Sequence, residues 1–166
     1  MNVWFLGDLH AGHKNIHKYR TQFESEEHHF QVIKENYFKV VRKKDKVFFL
    51  GDTAFTKERL LDVAKWTGKK VALLGNHCTE KELTVRDYVN AFDDVQGFVK
   101  YKDYWLSHCP IHPNELLGRY CLHGHVHGNT VEDARYFNCS LENIDYTPIS
   151  LDQIREILKE RKEDAQ

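Results

Sequence analysis

No apolar run in the chain approaches the roughly 20 residues a membrane-spanning helix needs, so no membrane partner is expected. Charge of one sign is not in excess either. The formal net charge is −1, which argues against a broad basic surface for duplex nucleic acid and makes nucleic acid a disfavoured partner. The four cysteines (Cys78, Cys109, Cys121, Cys139) form no C-x-x-C pair, which removes zinc-knuckle spacing and predicts free thiols packed in the core. Pro110, Pro113 and Pro148 are the only prolines, and they read as loop punctuation in the second half. The opening Met1-Asn2-Val3-Trp4 carries no basic leader or cleavage signal, which predicts a reducing, cytoplasmic setting.

What is present suits one globular domain over 1–166. Apolar residues make up 41% and aromatics 13%, enough to bury roughly two-thirds of the unfolded surface. The compositional oddity is eleven histidines. Histidine is a common metal ligand, and its clustering decides what the count means.

Short apolar runs predict strands at Val3–Leu6, Val47–Leu50, Val71–Leu74, Val95–Tyr101, Tyr104–Leu106, Tyr120–Leu122 and Arg135–Cys139. Ser25 is expected to cap a helix with the stripe Phe30, Ile33, Tyr37 and Val40 or Val41, and Thr56 one carrying Leu60, Leu61 and Ala64. Thr79 with Glu82 and Ser150 with Gln153 have capping-box spacing, the second ahead of Leu151, Ile154 and Leu158. Alternating strands and helices followed by clustered strands predict an α/β fold with a mixed sheet or a pair of sheets.

One grammar recurs: an apolar strand, a small residue or tight turn, then metal-ligand residue types. It appears as Gly7-Asp8-Leu9-His10, Gly51-Asp52, Gly75-Asn76-His77, Ser107-His108 and His123-Gly124-His125-Val126-His127. Strand ends at one sheet edge gather in space. In an extended segment residues two apart point the same way, so Asp8 with His10 and His125 with His127 are each expected to converge. Any one block alone reads as an ordinary turn. Five in order, each after a strand, point to a metal centre.

The ordered set Asp8-x-His10, Gly51-Asp52, Gly75-Asn76-His77, His108 and Gly124-His125-x-His127 resembles the calcineurin-like metallophosphoesterase superfamily. The opening Asp8-Leu9-His10-Ala11-Gly12-His13-Lys14-Asn15-Ile16 is similar to that of small stand-alone members from bacteria and phages, for which the setting would be a host cytoplasm if phage-encoded. The resemblance implies two packed mixed β-sheets flanked by helices. It implies that Asp8, His10 and His127 hold one divalent ion, that Asn76, His108 and His125 hold a second, and that Asp52 bridges them. His77 would contact the phosphate and assist the leaving group.

Two ions about 3.5–4 Å apart generate hydroxide near neutral pH and drain charge from phosphate oxygens. The expected reaction is therefore hydrolysis of a small phosphomonoester or phosphodiester by direct attack of metal-bridging hydroxide, with no covalent intermediate. Mixed nitrogen and oxygen ligands without thiolates fit manganese, iron, zinc, cobalt or nickel better than magnesium or calcium, and manganese is taken as the first expectation. His13 and Arg119 are candidate substrate contacts, with Arg135 behind them, and His123 is expected to pack at a strand end. His28, His29 and His112 read as surface residues.

Departures narrow the reading. Cys78 stands where the superfamily usually has an acidic residue to orient the histidine, a role that Glu80 or Glu82 would have to assume. Thr53-Ala54-Phe55 after Gly51-Asp52 departs from the Asp-Arg-Gly of protein phosphatases, and Phe55 replaces the iron-ligating tyrosine of purple acid phosphatases. The chain is too short for a large cap domain, so an open site is expected. The competing readings are a catalytically silent scaffold on the same fold and a nuclease. The sequence leaves the oligomeric state open.

Overall fold

The computed structural model describes residues 1–164. Val3–Leu6 (β1), Lys46–Leu50 (β2) and Lys69–Leu73 (β3) each hold three or four consecutive apolar residues, the pattern of strands covered on both faces. They pair in parallel, with Phe5 opposite Phe48 and Phe48 opposite Val71. Asp94–Gln96 (β4) adds a parallel edge. A two-residue strand at the other edge, Ile149–Ser150 (β9), runs antiparallel to β1. The second sheet has the order β5-β6-β7-β8, formed by Phe98–Tyr101 (β5), Tyr104–Ser107 (β6), Tyr120–His123 (β7) and Tyr136–Asn138 (β8). Only the β5–β6 pairing is antiparallel there. The two mixed sheets share one core, in which Phe5 and Leu6 join Leu106, Leu122 and Phe137. The helices Ile16–Tyr19 (α1), Glu26–Val40 (α2), Lys57–Ala64 (α3), Val85–Ala91 (α4) and Leu151–Asp164 (α5) flank them, as expected.

Capping chemistry sets most helix starts. Ser25 accepts from the His28 amide and Thr56 from that of Arg59. Ser150 and Gln153 bond reciprocally ahead of α5, whose Leu151, Ile154 and Leu158 are buried. Phe30, Ile33, Tyr37 and Val41 form the buried stripe of α2 and its exit, each stabilising the fold by about 2 kcal/mol. No helix among the described residues is long and apolar enough to cross a membrane.

Several expectations need correction. The run Val95–Tyr101 is two strands in different sheets, and Gly97 alone separates the edge strand of one from that of the other. Thr79 and Glu82 form no capping box. Thr84 begins α4 in a capping box with Asp87, while Glu82 accepts the Lys57 amide. Leu61 is 59% exposed and Val63 takes its place in the core, because the buried face of α3 advances by three. Strand β9 is too short to leave a periodic signal. Neither Arg135 nor Cys139 belongs to β8.

The loops after β1 and β2 run side by side. The His10 and Ala11 amides donate to the carbonyls of Asp52 and Thr53, and the Phe55 amide donates back to Ala11. Gly7 bonds the Cys139 carbonyl at 2.8 Å and pairs with Ser140, tying the exit of β1 to the exit of β8. The carboxyl ends of strands from both sheets therefore meet at one edge.

Candidate metal centre

All seven expected ligand residues, and His77, gather at that edge. Asp8 Oδ1 and His10 Nε2 face one another at 3.7 Å, too far for a hydrogen bond, and both atoms are sealed from solvent with no partner. The donor atoms of Asp8, His10 and His127 lie within 4.8 Å of one another, as do those of Asp8, Asp52 and His108. Asp52 Oδ2 stands between two groups, 3.9 Å from His10 Nε2 and 3.2 Å from His108 Nε2. On the far side His108 Nε2 is 2.9 Å from Asn76 Oδ1, and His125 Nδ1 is 3.1 Å from the same oxygen.

The surrounding bonds fix which atoms point inward. His108 Nδ1 donates to the Leu50 carbonyl, which leaves Nε2 as a lone pair facing Asn76 Oδ1 and Asp52 Oδ2. His127 Nδ1 donates to Glu142 Oε1 at 3.0 Å, presenting Nε2 to the cluster. Asp8 Oδ2 accepts from Ser140 Oγ and from the His125 amide, and Asp52 Oδ1 accepts from the His77 amide. One oxygen of each carboxylate is thereby committed, and the other faces the cluster. Buried acceptors turned toward one another repel unless a cation lies among them. The residues fit divalent metal.

Electrostatics agree. Burial works to raise the carboxyls of Asp8 and Asp52, yet the neighbouring imidazoles and hydrogen-bond donors outweigh it and hold both below the usual range. Burial likewise opposes a charge on His108, but Asp52 prevails and raises its pKa, so a proton is favoured where a cation would sit. Burial dominates at His10 and lowers its pKa, keeping the imidazole in the neutral form that a ligand requires.

The backbone is unusual here. Asp8, His10, Asp52, His125 and His127 all have positive φ, between +46° and +72°. Non-glycine residues rarely adopt this region, and such strain persists only when surroundings over-determine it. The restraints are visible: Arg20 Nη2 donates to the Asp8 carbonyl at 2.6 Å, and the amides of Asn138 and Asn143 both donate to the His127 carbonyl. These left-handed turns also correct the extended-segment argument. His125 and His127 reach the cluster from different sides. His125 joins Asn76 and His108, while His127 joins Asp8 and His10. Gly124 permits the close approach, since a Cβ there would lie 2.4 Å from Asp8 Oδ2.

His77 lies beside the cluster, its ring centre 5.9 Å from that of His10. Its Nδ1 meets Glu80 Oε2 at 2.6 Å. Glu80 thus supplies the carboxylate that Cys78 does not, while the buried Cys78 Sγ accepts the Gly75 amide and closes the turn. Phe55 contacts the rings of His10, His13 and His77. Partial burial, then the charges of His10 and Lys81, lowers the pKa of His13.

Other expectations fail. Arg119 precedes β7, at the opposite end of that strand from His125, and donates to the Leu117 carbonyl beside Trp105. Arg135 likewise precedes β8 and forks onto Asp133. Neither reaches the cluster. His29 is fully buried rather than on the surface: its Nε2 lies 2.7 Å from Arg20 Nη1, and burial together with that cation lowers its pKa to about 3. Cys109 is exposed rather than in the core, near His108 and His125. Partial burial and the Asp52 and Asp8 charges raise its pKa, which disfavours the thiolate a ligand would need. His123 does pack at its strand end, donating from Nδ1 to the Gly124 carbonyl.

Sequence reading missed Arg20, Ser140 and Glu142. The strand-then-polar grammar extends to Asn138-Cys139-Ser140-Leu141-Glu142 and was a usable signal for the last two. Arg20 had none. It is 2% exposed at the end of the four-residue α1, with Nε donating to Glu142 Oε1 at 2.8 Å.

The model of the calcineurin-like phosphoesterase family matches residues 1–166. The chain belongs to that family. Family members typically hydrolyse phosphoesters and generally use divalent metal ions. An uncharacterised protein of the archaeon Methanocaldococcus jannaschii is 29% identical, over 96% of this chain and 93% of that protein. The gene 66 protein of Mycobacterium phage D29 is 26% identical over 98% of both chains, and its counterpart in Mycobacterium phage L5 is 27% identical over 76% and 77%. A crystal structure of a protein of unknown function from Aquifex aeolicus superposes with a TM-score of 0.72 at 26% identity, covering 94% of this chain and 98% of that one.

Proposed function

We propose that this calcineurin-like protein is a phosphoester hydrolase working with two divalent ions. Asp8, His10 and His127 would hold one, Asn76, His108 and His125 the other, and Asp52 would serve both. The observation that carries the reading is the set of buried ligand-type atoms aimed at one another, above all the unpartnered Asp8 Oδ1 and His10 Nε2. When bound, the ions would supply Lewis acidity to phosphate oxygens and acidify water at neutral pH.

The chain's own residues would do the rest. His77, with Nδ1 held by Glu80, offers Nε2 to the oxygen leaving phosphorus and is suited to give it a proton as the bond breaks. Glu80 would stabilise the imidazolium before that transfer. Water is the proposed attacking group, with no covalent enzyme intermediate; the engagement of Ser140 Oγ with Asp8 and the raised pKa of the Cys109 thiol support this. Manganese is the proposed metal, and small monoesters or diesters are the proposed substrates. The test is a panel of metals against phosphomonoesters, phosphodiesters and cyclic nucleotides after chelation. Restored hydrolysis with manganese is expected, and no hydrolysis with any metal would contradict the reading.

A further inference from the structure

Phe55 joins two neighbouring regions. One side of its surroundings is the cluster, through His10 and His77 at ring-centre distances of 5.3 and 5.6 Å. The other is a groove lined by His13, Lys14, Asn15, Phe55, Lys81 and Glu82. Lys81 Nζ stands 5.0 Å above the Phe55 ring, and the His13 ring packs against it at 5.0 Å. Phe55 is therefore a wall common to the groove and to the histidines of the cluster.

Its charge is unbalanced. Among the described residues, neither Lys14 nor Lys81 has a carboxylate within ion-pair distance. The nearby carboxylates hydrogen-bond other donors, and of them only Glu82 lines the groove, one negative charge against two positive. Glu82 accepts the Lys57 amide, Glu80 holds His77, and Glu26 accepts the Gly12 amide and pairs with Arg59. Two ammonium groups without counter-ions, one from the loop after β1 and one from the loop after β3, attract an anion arriving with the substrate. Lysine binds phosphate as a point charge on a flexible stem, which suits a group whose exact position varies between substrates.

We propose that this groove is a subsite for a second phosphoryl group, so that the favoured substrates are small esters carrying two phosphates. The inference rests on the phosphoesterase reading and names its substrate class. Lys14 and Lys81 set specificity, and Phe55 fixes the groove's place relative to His77.

The experiment uses the manganese-loaded full chain and a matched pair, propanediol bisphosphate and hydroxypropyl phosphate, which differ only in the second phosphate. Wild type is expected to favour the bisphosphate in kcat/KM by roughly tenfold. The Lys14→Ala/Lys81→Ala double variant, altered only at exposed positions, is expected to bring that ratio near one. A wild-type ratio near one, or a ratio that survives in the double variant, overturns the proposal. Carboxyalkyl phosphates accepted as well as the bisphosphate would overturn the phosphoryl assignment. Calorimetric titration of the metal-free protein with both compounds reads the groove apart from turnover. Lysine-dependent binding of the bisphosphate without hydrolysis of either compound would retain the subsite and sink the phosphoesterase reading.

Discussion

His127 Nδ1 lies 3.0 Å from Glu142 Oε1, and the same oxygen accepts from Arg20 Nε at 2.8 Å. Arg20 also reaches the carbonyls of Asp8 and Leu9. One buried cation thus braces the strained turn that carries Asp8 and His10 and, through Glu142, the imidazole of His127. Glu142 is held well down, to about 2: burial opposes this, but His127 and Arg20 prevail.

Replacing Glu142 by Gln should therefore loosen one ion while preserving the fold. Removal of a carboxylate that orients a ligating histidine typically costs about 10–100-fold in metal affinity. Equilibrium dialysis against manganese should show that loss. Unchanged affinity would make Glu142 a bystander.

His77→Ala should keep both ions and slow hydrolysis by roughly 10²–10⁴-fold, the usual range for a positioned acid or base. Glu80→Gln should show a smaller loss in the same direction, because the imidazole keeps a hydrogen-bond partner and loses a charge. Single-turnover rates measure both. Wild-type rates in His77→Ala would remove it from the mechanism.

Acid stability has a separate source. Buried Asp45 accepts from the Asn2 and Arg42 amides and from Trp4 Nε1. Burial works to raise its pKa, but these donors hold it below the usual value. A depressed folded-state pKa contributes stability that is complete above the unfolded pKa, about 3.9, and is lost as pH falls through the folded value. Asp45→Asn should then cost about 1–3 kcal/mol at neutral pH in the metal-free protein, with the gap to wild type narrowing below about pH 4. Denaturant midpoints at both pH values check this. A gap that stays constant with pH would show that ionisation of Asp45 contributes nothing.

What was legible in the sequence follows the range of each signal. Strands β1, β2 and β3 announce themselves as apolar runs, and Ser25, Thr56 and Ser150 announce their helices, because capping and burial are local. The ligand blocks stood out because each follows a strand end. The Glu80 contact with His77 was open to suspicion only because Cys78 broke a pattern. The left-handed turns at Asp8, His10, Asp52, His125 and His127 were not legible, since their strain is held by partners as distant as Arg20, Asn138 and Asn143. Arg119 misled because an arginine near a strand gives no hint of which end of the sheet it occupies.

Asp52 stands between the two groups of ligands, within 3.9 Å of His10 and 3.2 Å of His108. Manganese stoichiometry by equilibrium dialysis, in wild type and in Asp52→Asn, tests this most directly. Two ions per wild-type chain are predicted, with one or both lost and turnover nearly abolished in the variant. A variant that retained two ions and hydrolysed phosphoesters at the wild-type rate would contradict it.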